Sequence, residues 1–289
     1  MSVGLFFLLV GVTLSVVVFY FSYRFNNPAI YKLKPSVDLV IIGDSHIQCG
    51  LEDSLFQNSI NVSNSADSYL FTYIKIRRLV EHNPGIKKVM LGYSAHNLEQ
   101  SMDNWNFRDE NLRNKTAQYF FLMGLSEVKF LAKRNPFAFV RGIIQFPKIK
   151  FNTIRSLNKK SDVLDIGVGG HQRLTEVIYD WKGYDPKVMA DYIQACTLSE
   201  SQEIYLNKII DLCRLKGIEL ILISTPLHPT YSNRDQGCAK KYHTINLDNI
   251  HWCDFTHLDL ADSLFADHEH LNQNGAIVFS KHLKNNLGW

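Results

Sequence analysis

Cysteine is scarce in this chain. There are five among 289 residues, and no two have C-x2-C spacing. That excludes a small disulfide scaffold and the common zinc ribbons. The histidines do not cluster at ligand spacing either, although His243, His251 and His257 share one region. No metal site and no cofactor are expected. An excess of one charge is also missing: 31 Lys+Arg face 28 Asp+Glu, a formal net charge of +3. No internal repeat or low-complexity tract is visible. With 46% hydrophobic and 20% charged residues, a disordered chain is excluded. The length is enough for one large domain or two small ones, with a sizeable core.

Long apolar runs are missing everywhere but at the start. Val3 to Tyr23 is a stretch of 21 residues without one charge. As a helix rising about 1.5 Å per residue it spans roughly 30 Å, the thickness of a bilayer's hydrocarbon. Phe19, Tyr20, Phe21 and Tyr23 stand where an interfacial belt belongs, and Arg24 closes the run. A cleaved signal peptide needs a basic start, a shorter core and a small-residue cleavage site, and the segment has none of these. Residues 1–24 therefore read as a single transmembrane anchor, residues 25–36 as a polar linker, and residues 37–289 as the domain. Two features point to a cytoplasmic domain: Arg24, Lys32 and Lys34 follow the span, and the cysteine number is odd.

In the domain, apolar runs rich in β-branched residues alternate with helical spacing. Val37 to Gly43, Asn61-Val62, Lys88 to Gly92, Ile218 to Ser224 and Ile250 to Phe255 read as strands. Gly50 to Gln57, Tyr69 to His82, Pro186 to Lys216 and Gln273 to Leu287 read as helices. Nearly all-apolar strands between helices predict a parallel sheet covered on both faces, a three-layer α/β/α fold. Residues 98–185 interrupt the alternation as a partly helical insertion.

The insertion hides most of the charge. Ser126 to Lys160 holds nine basic residues and one acid, a net of +8, which leaves −5 for the rest of the chain. Phe130, Phe137, Phe139, Ile143, Ile144, Phe146 and Phe151 interleave with that charge. The pattern fits a surface lying on anionic headgroups or a cleft for acidic glycans, as well as an ordinary solvated face. No nucleic-acid module accompanies it, and no nucleic-acid partner is expected. Gly167-Val168-Gly169-Gly170-His171 does not join a buried strand to a helix, so it reads as a flexible loop rather than a phosphate cradle.

Two short segments carry chemistry. Gly43-Asp44-Ser45-His46 follows the first buried strand, which sets Ser45 at the strand's carboxyl end, where open α/β sheets do their chemistry. Asp267 and His270 stand three apart before the last helix, and one turn can lay that carboxylate against the imidazole. Asn272 is a good N-cap for the helix behind them. His268 is the alternative base. His46 reads as a crevice neighbour, Glu269 as an exposed one, and Cys49 as a small buried residue.

Together, strand–G-D-S and D-x-x-H-L-N resemble the SGNH/GDSL hydrolase superfamily. The resemblance covers most of residues 37–289, with the middle unaccounted for. It implies a flavodoxin-like three-layer fold, Ser45 as nucleophile, His270 as general base and Asp267 as its orienting acid. The oxyanion donors it implies are Ser45 and Ala66, the latter in Asn61-Val62-Ser63-Asn64-Ser65-Ala66, where a glycine is the family's choice. For the family's asparagine this chain offers Gly92-Tyr93-Ser94-Ala95-His96-Asn97, with Ser94 at its position and Asn97 or His96 reaching in from the loop.

The resulting expectation is a membrane-anchored serine esterase. It would remove O-acetyl or similar acyl groups from envelope glycans or lipids. An O-acyltransferase of surface polysaccharide would use the same triad. A degraded domain that binds envelope-assembly proteins is the non-catalytic alternative. Membrane lipid is an expected partner, and the resemblance outweighs the charge asymmetry in favour of an extracytoplasmic domain.

Overall fold

The computed structural model describes residues 31–156, 169–174, 197–231 and 234–288, together with residue 12; for 147–156 it gives backbone alone. Apart from residue 12, the expected anchor lies outside the described residues. Among them, no helix is long and apolar enough to cross a membrane.

Five strands form one parallel sheet in the order β2-β1-β3-β4-β5. They are β1 (Leu39–Ile42), β2 (Ser59–Asn61), β3 (Lys88–Gly92), β4 (Glu219–Ser224) and β5 (His251–Asp254). Val40 pairs with Ile60 on one side and Val89 on the other, and Val89 pairs with Leu220. Alternate residues face opposite layers, as the pleat requires. Leu39, Ile41, Met90, Ile221 and Ile223 pack into one core, and Val40, Ile42, Val89, Leu91 and Leu222 into the other. The fold is α/β, with helices on both faces of the sheet.

The first core is closed by the helices α1 (Ser45–Gly50) and, at the C-terminus, α10 (Gln273–Leu287). On the other face lie α2 (Tyr69–His82), α8 (Glu200–Lys216) and α9 (Gly237–Asn246). After β3 comes α3 (Ala95–Leu98), and the insertion adds α4 (Gln100–Asn106), α5 (Asp109–Tyr119), α6 (Leu125–Arg134) and α7 (Pro136–Ser156). It is not a separate unit: Leu112, Tyr119, Leu131, Phe139 and Phe146 belong to the same core as α2 and α8.

Three boundaries differ from the sequence reading, each for a local reason. The helix expected over 50–57 begins at Ser45 and ends at Gly50, because the Asp44 side chain accepts from the His46 N–H and caps it early. The linker expected over 25–36 is already part of the domain at Tyr31 and Leu33. Both are buried, and the Asn83 side chain binds both backbones. Described helix before β4 begins at Glu200, capped by Ser199, and ends at Gly217 with φ 64°, a left-handed position suited to glycine.

The sheet order reverses between β1 and β3, the place where such folds open a crevice. Gly43 and Gly92 end these two strands. A Cβ on either would lie 2.7 or 2.6 Å from the Ile47 side chain. The two glycines thus let α1 settle onto the strand ends, and Ser45 stands at the head of that helix.

Candidate active site

Ser45 opens α1 immediately after the Asp44 cap. Its Oγ lies 2.8 Å from His270 Nε2. His270 Nδ1 in turn lies 2.9 Å from both carboxylate oxygens of Asp267. Asp267 Oδ1 also accepts the backbone N–H groups of Glu269 and His270, each at 2.8 Å. Behind this turn, Asn272 caps α10 through the Gly275 N–H, so the loop carrying Asp267 and His270 is tied to the helix. Burial works against charge on the His270 ring, but the hydrogen bond and charge of Asp267 outweigh it and raise the ring's pKa. Burial likewise opposes charge on Asp267, whose pKa the bonds from His270 lower on balance. The three residues named from sequence form one hydrogen-bonded line suited to activating a hydroxyl.

Ser45 and Ala66 border the same space. Ala66 stands at φ 61° in the loop after β2 and lines the cavity with Ser45. Neither the Ser45 nor the Ala66 N–H donates to any acceptor among the described residues. Left-handed geometry costs an alanine roughly 1–2 kcal/mol, so the loop must be held in place. Two buried lysines hold it: Lys75 Nζ binds the Val62 carbonyl at 2.6 Å and Asp67 at 2.7 Å. Lys115 Nζ binds the Ser65 carbonyl at 2.7 Å and Asp67 at 2.5 Å. Tyr119 donates to the same carboxylate. Sequence reasoning missed this brace, because an isolated lysine on a helix carries no local sign of burial.

Ser94 and Asn97 were expected to face the acyl oxygen, and the structure does not bring them to the cavity. Ser94 Oγ donates to Asn97 Oδ1 at 2.7 Å, and Asn97 Nδ2 donates to Asp44 Oδ2 at 2.8 Å. Asn97 is spent on that buried carboxylate, and Ser94 on Asn97. His96, between them in sequence, lines the cavity instead, with Nε2 2.6 Å from Asp44 Oδ2. Glu269, read as an exposed neighbour, also lines it and meets His46 Nε2 at 3.3 Å. Burial, then the charge of His96, lowers the His46 pKa.

The cavity measures about 620 Å³. Besides the triad, its wall includes Cys49, Ala66, Met102, Trp105 and Leu174. Met102 and Trp105 come from α4, the first long turn of the insertion. Leu174 comes from the segment after the glycine-rich stretch, which is not loose in its described part. The Gly170 N–H donates to the Ser63 carbonyl, the Gln172 N–H to the Gln48 carbonyl, and Arg173 pairs with Glu52. At Gly169 a Cβ would meet the Ser63 carbonyl oxygen at 2.1 Å, so the strap lies directly on the Ala66 loop.

The surroundings of the neighbouring thiol and imidazole hold them in other roles. Burial, then the charges of Asp267 and Asp44, pushes the Cys49 thiol up to about 12, which leaves it protonated and unreactive. His268 Nδ1 lies 2.9 Å from Thr230 Oγ1 and does not line the cavity. Cys213 and Cys253 are free thiols like Cys49, whereas Cys238 is disulfide-bonded. Among the described residues, no group of three His, Cys, Asp or Glu is placed to hold a metal ion.

A model of an uncharacterised protein family matches residues 192–288, the part that carries β4, β5, α10, Asp267 and His270. No curated protein matches the chain.

Proposed function

We propose that this protein is a serine esterase of the SGNH/GDSL type that removes acyl groups from glycans or lipids at a membrane surface. The line Asp267–His270–Ser45, with two unspent backbone N–H groups beside Ser45, is the observation that carries this reading. Ser45 Oγ adds to the ester carbonyl carbon and its proton passes to His270. The carbonyl electron pair moves onto oxygen, facing the Ser45 and Ala66 N–H groups. Collapse expels the alcohol, which takes the proton back from His270 and leaves an acyl-enzyme. Water then releases the acid. A sugar hydroxyl in place of water would make the same residues an O-acyltransferase.

Three features support the proposed location. The apolar run over residues 3–23 has the length of an anchor. Leu125, Phe137, Val140 and Ile144 are exposed on α6 and α7, from 53% to 79%, beside exposed Lys129, Lys133, Arg134 and Arg141. Large apolar side chains among cations suit an anionic bilayer surface. The disulfide on Cys238 favours an oxidising compartment, hence a domain outside the cytoplasm.

The withdrawal of Ser94 and Asn97 from the cavity favours a second reading, a binding or assembly module that has lost a donor. Labelling with a fluorophosphonate separates the two, since only an activated serine reacts. Labelling of the wild type and none of Ser45→Ala is the expected outcome. An unlabelled wild type, or equal labelling of both, overturns the esterase reading.

A further inference from the structure

The wall of the cavity holds a hydrogen-bond chain that the triad does not use, and its protons can be counted. Asp44 Oδ1 accepts the His46 N–H at 3.0 Å, and Oδ2 accepts Asn97 Nδ2 at 2.8 Å. A carboxylate only accepts, so the amide of Asn97 must turn its NH2 towards Asp44. The reverse orientation would set two oxygens 2.8 Å apart with no proton between them. The Asn97 oxygen therefore faces Ser94, whose single hydroxyl proton goes to it at 2.7 Å. Ser94 Oγ has no proton left for His96 Nδ1, 2.8 Å away, and can only accept from it. Asp44 Oδ2 likewise accepts from His96 Nε2 at 2.6 Å. Both ring nitrogens of His96 are then donors, which makes it an imidazolium.

The pair has a direction. Both residues line the cavity, and the His96 side chain is 22% exposed against 5% for that of Asp44. The positive member is the more open of the two to the site. Burial opposes charge on His96, and the charge and hydrogen bond of Asp44 overcome it and raise the ring's pKa, with help from Glu269 and Glu99. His46, with its ring centroid 4.5 Å away, is the nearby base that burial and His96 keep neutral.

We propose that His96 is a standing imidazolium whose charge stabilises the oxyanion formed at Ser45, in place of a third hydrogen-bond donor. This rests on the esterase reading. Both N–H groups are committed to the protein, so His96 acts by charge through its ring and not by hydrogen bonding, and it gains and loses no proton in the reaction. Removing it should slow acylation about ten-fold, less than the 10²–10³ that follows loss of a direct donor.

Two measurements on the full chain test this. In ¹⁵N-labelled protein, with the His96 signals identified by their loss in His96→Gln, both ring nitrogens should carry protons at pH 8. A neutral tautomer there overturns the proposal whatever the enzyme does. The fluorophosphonate should label folded His96→Gln about ten-fold more slowly than the wild type; an equal rate overturns the catalytic half. A wild type that is not labelled at all, with His96 doubly protonated, marks failure of the esterase reading and takes the catalytic half with it.

Discussion

The His270 Nδ1 atom lies 2.9 Å from both carboxylate oxygens of Asp267, and the His270 backbone N–H donates to that carboxylate as well. One short turn thus fixes both where the ring stands and which nitrogen carries its proton. Because His270 must be neutral to accept the Ser45 proton, and its pKa is raised, the labelling rate should climb with pH. Its midpoint should lie above the ordinary histidine value of about 6.5. Asp267→Asn removes the cause of the rise and permits the wrong tautomer. The rate should fall by about 10³–10⁴ and the midpoint should move down. A midpoint unchanged in Asp267→Asn would show that Asp267 does not govern His270.

Ala66 occupies a left-handed backbone position that glycine takes without steric cost. Ala66→Gly should keep its N–H in place, leave the labelling rate within about two-fold and stabilise the fold by roughly 0.5–1 kcal/mol, less whatever glycine loses in unfolded-chain entropy. Thermal denaturation of the two proteins side by side measures this. A clear loss of stability would mean that the lysine brace, not the dihedral, dominates the loop.

The cysteines make a countable prediction. A disulfide engages Cys238 while Cys49, Cys213 and Cys253 are free. Alkylation of the unfolded, unreduced protein should add three groups, and after reduction it should add five, matching the five cysteines. Mass spectrometry reads both numbers. Five groups without reductant would remove the support for an oxidising compartment.

The exposed face of α6 and α7 should respond to lipid charge. With the full chain in nanodiscs, amide exchange across residues 125–146 should be slower in anionic than in zwitterionic bilayers. Each Lys or Arg near such a surface is worth about 1 kcal/mol. Replacing Lys129, Lys133 and Arg134 together by Gln should therefore abolish the difference. Identical exchange in both bilayers would leave the apolar residues Phe137 and Ile144 to a protein partner.

What could be read in advance follows from the range of the forces involved. The strands β1, β3 and β4 are short β-branched runs whose burial is written in their own residues, and Ser45, Asp267 and His270 lie in compact motifs set by those strand ends and by α10. Ser94 and Asn97 stand away from the cavity because Asn97 binds the buried Asp44 carboxylate, about fifty residues off in the chain, and Ser94 binds Asn97. The strap over 169–174 looked loose because its bonds go to Gln48, Glu52 and Ser63, far off in the chain. Nothing local marks Lys75 and Lys115 as buried, because the Asp67 carboxylate that pairs with both is brought to them by the fold. Local pattern recovers elements and sequence-adjacent pairs such as Asp267 and His270; contacts across the sheet need the fold.

The docking of Tyr31 and Leu33 on the domain sets a limit on reach. Between the proposed membrane span, ending at Tyr23, and Tyr31 only seven residues remain. Even stretched to the full, at up to about 3.6 Å each, they cover roughly 25 Å, close to the radius of a domain this size. On the proposed reading, an enzyme on so short a leash would meet only what the bilayer itself holds or brings near. Its effective substrate concentration would then be set by the crowding of acyl chains and glycans at one surface and not by diffusion from bulk solution.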